Sequence, residues 1–367
     1  MSSDLLSRLE SLAGAASTET VALIYRAQWA CAAARLGKID DARSEIAVLR
    51  SRNSAYSPEL TAWIFLAEGM THHFESLSST ALDRFRRAYG LAVAFGNAEI
   101  RSMAAAWISA SEFLVAEYES AAKHALEAIR YATESVPLAK ARAHLVLATC
   151  LDGAASLALA STHYMKARNF AVEARDISMQ SVVLYNVAAF RVSRLSVDDA
   201  FGDPVAEELG VAQLEVSSIG NLDSGLGLGS LKAMVPLLRA QLSLVGRRWS
   251  EADALYEQFT AEAATHGQAR HAPRYVAERA QCQAMLGQRA EALRLVDQAV
   301  SQLVGRVDPD DRAACHARLS LCLSSLGDQA GSQKHLEAGL RHRAELHAFQ
   351  DRLRRQTIGI INEESGK

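Results

Sequence analysis

The chain has 367 residues, 49% apolar and 22% charged, with 39 Lys+Arg against 42 Asp+Glu for a formal net charge of −3. That near balance speaks against a nucleic-acid-coating surface, which carries a strong basic excess, and no run of 18 or more uninterrupted apolar residues suggests a membrane span. With 6 Pro, 6% aromatics and abundant Ala, the composition points to an all-α protein, since Ala is the best helix former and Pro the worst.

The opening MSSDLLSRLESLAGAAS has no basic n-region followed by an apolar h-region, so no signal peptide is read and a cytoplasmic location is expected. A short helix is predicted at about 3–14, closing the first hairpin as an end cap. Helix hairpins follow at about 20–54, 57–96, 98–134, 137–175 and 178–218. The fifth is irregular, because Gly202 and Pro204 break its turn. After it comes the densest glycine cluster of the chain, Gly220, Gly225, Gly227 and Gly229, expected as a hinge. It is not expected to cradle phosphate, since neither GxxxxGK[ST] nor a preceding strand is present. Three more hairpins are predicted at about 230–265, 270–303 and 309–341.

The organisation expected is therefore residues 1–200 as N-terminal helical repeats, 201–229 as an irregular helix and Gly-rich hinge, 230–341 as C-terminal repeats, and 342–367 as a final helix. Leu340, Leu346, Phe349 and Leu353 form an apolar stripe on that last helix, which reads either as a cap or as a dimerisation surface, with fraying after Gln356.

A recurring phrase ties these hairpins together. RLGKIDDARSEIAVL (35–49) returns as MLGQRAEALRLVDQAV (285–300), as LVGRRWSEADALYEQF (244–259) and, more loosely, as SLGDQAGSQKHLEAGL (325–340). Within it a small residue, a large one four later and a small one three after that share one helix face. The small residues let a neighbouring helix approach and the large one fills the gap between pairs. The triplets are Ala42/Ile46/Leu49, Ala81/Phe85/Ala88, Ala121/Ala125/Ala128, Ala160/Tyr164/Ala167, Ala252/Tyr256/Phe259 and Ala292/Val296/Ala299. Gly37, Gly246, Gly287 and Gly327 fall in the turns, and the period reads as close to 34 residues with insertions.

On these triplets and turn glycines, the chain resembles the tetratricopeptide repeat family over roughly residues 20 to 340. The resemblance implies a right-handed superhelical solenoid of about eight antiparallel helix hairpins with a concave groove lined by the first helix of each pair. It departs from the family in its prolines: only Pro58, Pro137, Pro273 and Pro309 sit at hairpin junctions. More loosely, the likeness extends to the repeat domains of peptide-pheromone receptors and large bacterial transcription activators.

Carried over position by position, the resemblance places Phe65, Glu68, Trp107, Arg142, Tyr185, Asn186, Gln241 and Arg274 on the groove as partner-binding residues. Arg35, Glu278, Gln281 and Arg318 are also expected there. Asn186 is the most specific polar signal, because an amide donates and accepts at once and suits the backbone of an extended peptide. Trp107 reads alternatively as core between repeats, and Asn186 as an ordinary solvent-facing residue. Trp29, Trp63 and Trp249 are assigned to the core.

Catalytic patterns were not found: there is no GxSxG elbow and no HEXXH. The histidines, His271 among them, lack Cys or carboxylate partners at ligand spacing, so no metal and no cofactor is expected. Cys31, Cys150, Cys282, Cys315 and Cys322 are odd in number, scattered and without a CxxC pair, which reads as reduced core residues. The leading functional expectation is a non-enzymatic adaptor or regulatory scaffold, in a bacterial cytoplasm, whose partner is another protein or peptide, with no nucleic acid and no membrane. The alternatives are a ligand- or peptide-sensing domain acting on a separate transcriptional or signalling partner, and a structural homodimer built through the C-terminal helix.

Overall fold

The computed structural model describes residues 2–52, 57–77, 79–226, 234–305 and 307–365, and every regular element among them is helical. A leading helix, α1 (Ser2–Gly14), precedes eight hairpins. They are α2 (Glu19–Arg35) with α3 (Ile39–Arg52), α4 (Pro58–Ser76) with α5 (Ser79–Phe95), α6 (Ala98–Leu114) with α7 (Tyr118–Tyr131), and α8 (Pro137–Gly153) with α9 (Leu157–Glu173). Then come α10 (Ile177–Ala200) with α11 (Ala206–Leu226), α12 (Met234–Val245) with α13 (Trp249–Ala263), α14 (Ala272–Met285) with α15 (Arg289–Gln302), and α16 (Pro309–Ser325) with α17 (Gln329–Ser365). The fold is an all-α solenoid of helix hairpins. No helix among the described residues is long and apolar enough to cross a membrane.

Two compact units divide the chain. One comprises Met1–Val183 with Asp223–Ser230 and Leu353–Lys367, the other Leu184–Leu222 with Leu231–Arg352. In the first, α2 packs on α4 and α6 on α8, so that first helices stand beside first helices. In the second, α14 packs on α16 in the same way.

The small–large–small triplets explain why the hairpins stack. Ala81, Phe85 and Ala88 are 1%, 0% and 0% exposed, and the other five triplets are likewise buried except for the half-buried Phe259. Phe85 reaches its seat only because Gly69 of α4 has no side chain: a Cβ there would lie 2.4 Å from the Phe85 ring. Burying a ring of this size contributes roughly 1.5–3 kcal/mol. Several first helices have a local start signal. Ser57 caps α4 by accepting from the Leu60 N–H at 3.3 Å, and Asn97 caps α6 by accepting from Ile100 at 2.9 Å. Pro58, Pro137, Pro273 and Pro309 each sit in the first turn of a first helix, where the missing N–H costs nothing.

The repeat is longer than the sequence phrase suggests. First helices α2, α4, α6, α8 and α10 begin at residues 19, 58, 98, 137 and 177, so successive starts lie 39 or 40 residues apart and not near 34. The difference lies in the helices: α2, α6 and α8 each run 17 residues.

The turn inside a hairpin repeats one geometry. At Gly37 (φ 79°) the chain passes through the left-handed region, and the next N–H, of Lys38, closes onto the Ala33 carbonyl at 2.9 Å. Ala116 (φ 60°), Ala155 (φ 53°) and Arg247 (φ 61°) adopt the same turn without glycine. Gly246 lies in the turn as the sequence places it, but the left-handed position falls on its successor Arg247, after which the Arg248 N–H bonds the Ser243 carbonyl at 2.8 Å.

Three further expectations are revised. Gly220 and Gly225 lie inside α11, while Gly227 and Gly229 fall outside the described residues. The chain after Gln356 does not fray at once: α17 runs to Ser365, with Leu353 and Thr357 only 2% and 1% exposed. Ile360 secures it by packing with Ala106, Ala143 and Val146 in the core of the first unit. Trp29, assigned to the core, packs against it but is only half-buried, and it also lines a cavity of about 170 Å³ with Leu9, Glu10, Arg26 and Glu45. Its indole N–H donates to Glu10 at 3.0 Å.

Candidate functional site

The expected groove residues fall into separate clusters, two in the first unit and one in the second. The first is built around Trp107 of α6, which is 1% exposed. Its ring stacks on Phe85 at 5.4 Å and meets the edges of His73 and Phe74 at 5.0 and 5.6 Å. Arg142 of α8 lays its guanidinium 3.5 Å from the centroid of the same indole. Such a cation over an aromatic face is attracted by the ring quadrupole.

Arg142 is 8% exposed, and its hydrogen bond is a weak one, from Nη2 to the Met179 thioether at 3.7 Å. The carboxylate of that neighbourhood, Asp176, is bound to Arg35 of α2 at 2.8 Å. Burial, reinforced by the positive charge of Arg35, pushes the Arg142 guanidinium down to about 9, with Asp176 acting the other way. Burial and Arg142 together push His73 down to about 3, so its ring is neutral. Two buried guanidiniums therefore share one buried carboxylate.

Phe65 and Glu68, expected on the same face as Trp107, sit on another flank of α4. The Phe65 ring has Arg50, Arg84 and Arg87 each 5.8 Å from its centroid, and these come from the second helices α3 and α5. Glu68 pairs with Arg50 and, at 3.3 Å, with Arg84. The same flank carries hydrogen-bonded pairs 19 residues apart in other hairpins: Arg26 with Glu45, His144 with His163, and His316 with His335.

In the second unit Gln241 and Arg274 meet through a residue between them. Arg274 donates to Glu278 at 3.1 Å and to Asp311 at 2.9 Å, and Gln241 donates to both Glu278 oxygens at 3.3 Å. Tyr256 and Ser196 each donate a hydroxyl to Glu278 at 2.7 Å. One hairpin on, Arg318 donates to Asp199 at 2.7 Å and to the Ser196 carbonyl at 2.8 Å. Arg274 is 2% exposed and Arg318 and Glu278 are 0% exposed, yet all three are paired. Burial works against the Arg274 charge, but Glu278 and Asp311 outweigh it and hold the guanidinium well above its ordinary value.

His271 also belongs here, contrary to the expectation that it lacks a carboxylate partner. Its Nδ1 bonds Asp311, and His271, Asp308 and Asp311 bring ligand-type atoms within 4.8 Å of one another. Burial opposes a charge on His271, but the Asp311 carboxylate prevails and raises its affinity for a proton. These atoms have the chemistry to hold a cation, but Arg270 already lies 3.3 Å from Asp308 and Arg274 2.9 Å from Asp311. The arginines neutralise the acids that a metal would need.

Tyr185 and Asn186, adjacent on α10, are half-buried. The Tyr185 hydroxyl donates only weakly, to the Met234 thioether at 3.6 Å, and burial pushes it up to about 12. Sequence reasoning thus found the basic members of both clusters and missed Asp176, Asp199 and Asp311. These acids stand in neighbouring hairpins or at helix ends, and no local spacing joins them to their arginines.

No family model matches the chain, and no curated protein matches it. Among solved structures it is similar to a Rap protein complexed with competence and sporulation factor, with a TM-score of 0.57. The likeness covers 95% of this chain and 99% of that one at 10% sequence identity. At that identity the likeness is one of fold, a tetratricopeptide-like helical repeat.

Proposed function

We propose that the chain is a non-enzymatic, helical-repeat regulatory protein that holds a peptide, or a peptide-like segment of another protein, on the face formed by its first helices. The observation that carries the reading is that charged side chains are buried on those helices, among them Arg35 and Arg142 in one unit and Arg274, Glu278 and Arg318 in the other. Stacking hairpins needs only the small and large apolar residues of the triplets. A buried ion pair adds little net stability over apolar residues of the same volume, so the charges of Arg35 and Arg142, with one bound carboxylate between them, are better explained by recognition than by packing. The fold likeness to a protein crystallised with a bound factor supports the same reading. Binding would act through a separate partner. A homodimer through the final helix draws less support, since Leu353 and Ile360 are buried in the chain's own core.

The test is to pan a random displayed peptide library against the immobilised full chain and to measure the enriched sequences by calorimetry. A consensus peptide that binds at micromolar or better, and is weakened at least tenfold by Tyr185→Ala/Asn186→Ala, supports the reading. No enrichment over an unrelated helical protein overturns it.

A further inference from the structure

We infer that Arg35 and Arg142 form a site for an anionic group, a carboxylate or a phosphate, presented by the ligand; the inference rests on the peptide-binding reading and names the chemistry that its first unit recognises. The molecule buries two pairs of arginines, and they differ in how their charges are met. Arg274 and Arg318 are 2% and 0% exposed, and each is met directly by a carboxylate, Asp311 at 2.9 Å and Asp199 at 2.7 Å, the latter also holding the exposed Arg247. Arg35 and Arg142 are each 8% exposed and have Asp176 alone between them, bound to Arg35 at 2.8 Å. Arg142 has no ion pair among the described residues.

The hydrogen bonds tell the same story as the charges. Nε and Nη1 of Arg35 are buried without a hydrogen-bond partner, and the Arg142 guanidinium gives one bond to a sulfur acceptor at 3.7 Å. A buried donor left unmade costs the full desolvation of that group, more for a charged one. Fork-shaped guanidiniums are matched by the two oxygens of a carboxylate or phosphate. Trp107, stacked on Phe85, holds the Arg142 plane at 3.5 Å, so the fork is oriented before a ligand arrives. One bound anion would supply the missing charge and accept the orphaned N–H groups.

The experiment uses the full chain, wild type and Arg142→Met, with thermal unfolding followed by circular dichroism in sodium chloride, acetate and phosphate at equal ionic strength. Two results are expected. Without an anion, Arg142→Met unfolds at the wild-type temperature or above it, because an apolar chain of similar length replaces an uncompensated charge. With acetate or phosphate, the wild type gains a midpoint shift that grows with the logarithm of anion concentration, and the variant loses it. A shift with acetate alone identifies a carboxylate group, and one with phosphate alone a phosphate group. Equal shifts in both proteins, or no shift in the wild type, overturn the site, as does an Arg142→Met that unfolds well below wild type. A selected peptide that binds Arg142→Met as tightly as wild type overturns the anion site while leaving the peptide-binding reading intact.

Discussion

Arg318 of α16 donates to Asp199 of α10 at 2.7 Å, across 119 residues of sequence, with neither side chain more than 6% exposed. Nothing apolar is gained at this contact. It persists because each partner removes the cost of burying the other, so the pair constrains the second unit more than it stabilises it.

Breaking that relationship from one side should therefore be expensive. Asp199→Asn leaves Arg318 buried with its charge uncompensated, and a loss of about 3–5 kcal/mol is expected. Urea unfolding followed by circular dichroism measures it. A loss below about 1 kcal/mol would show that water or a neighbouring carboxylate replaces Asp199.

Gly69→Ala is expected to destabilise the first unit although alanine is the better helix former. The new Cβ would stand 2.4 Å from the ring of Phe85, which is 0% exposed and has no room to withdraw. Overpacking of this kind costs about 1–3 kcal/mol. The double variant Gly69→Ala/Phe85→Leu should recover part of the loss, and a double-mutant cycle reads the coupling.

The opposite sign is expected at the hairpin turns. Ala116 and Ala155 hold φ of 60° and 53°, a region that costs an L-residue roughly 1–2 kcal/mol, whereas glycine adopts it freely at an entropic cost of about 0.5–1 kcal/mol. Ala155→Gly should raise the unfolding free energy by the difference, on the order of 0.5 kcal/mol. The same change at Ala154, which has no such conformation, should lower it.

Acid should weaken the fold through its histidine pairs. His144 and His163 face each other with Nδ1 atoms 3.1 Å apart, one donating and one accepting, an arrangement that requires the accepting ring to be neutral and is lost when both are protonated. Burial, then the neighbouring positive charges, pushes them down to about 3 and about 4. Both lie below the value of about 6.5 for a free histidine. The unfolded chain thus binds protons first, and the stabilisation, complete above pH 6.5, is lost as pH falls toward 4. His163→Asn, which still bonds but does not titrate, should flatten thermal stability between pH 6.5 and 4.5.

Much of the fold was legible in the chain because its signals are local. Ala81/Phe85/Ala88 and its counterparts lie on one helix face by spacing alone, and all but Phe259 are buried. The turn at Gly246 was legible, but its left-handed conformation falls on Arg247, a residue type that does not announce it. The charged clusters were half-visible. Arg35, Arg142, Arg274 and Arg318 could be placed on the first helices, but whether an arginine is neutralised depends on acids such as Asp199 and Asp311, brought in from other hairpins. Phe65 and Glu68 were set on the face of Trp107, and the structure turns them toward α3 and α5, since a small error in helical phase rotates a side chain by about 100° per residue.

A stack of hairpins that touches only its neighbours unfolds like a zipper, with the stability of each repeat added to the next. The bond from Arg35 to Asp176, together with the Ser178 hydroxyl on the Arg35 carbonyl at 3.2 Å, ties the first hairpin of the first unit to the start of the fifth. The three hairpins between are enclosed by that tie and cannot melt from one end while it holds. The first unit should accordingly lose its structure in one cooperative step, behaving as a closed ring of repeats and not as an open row.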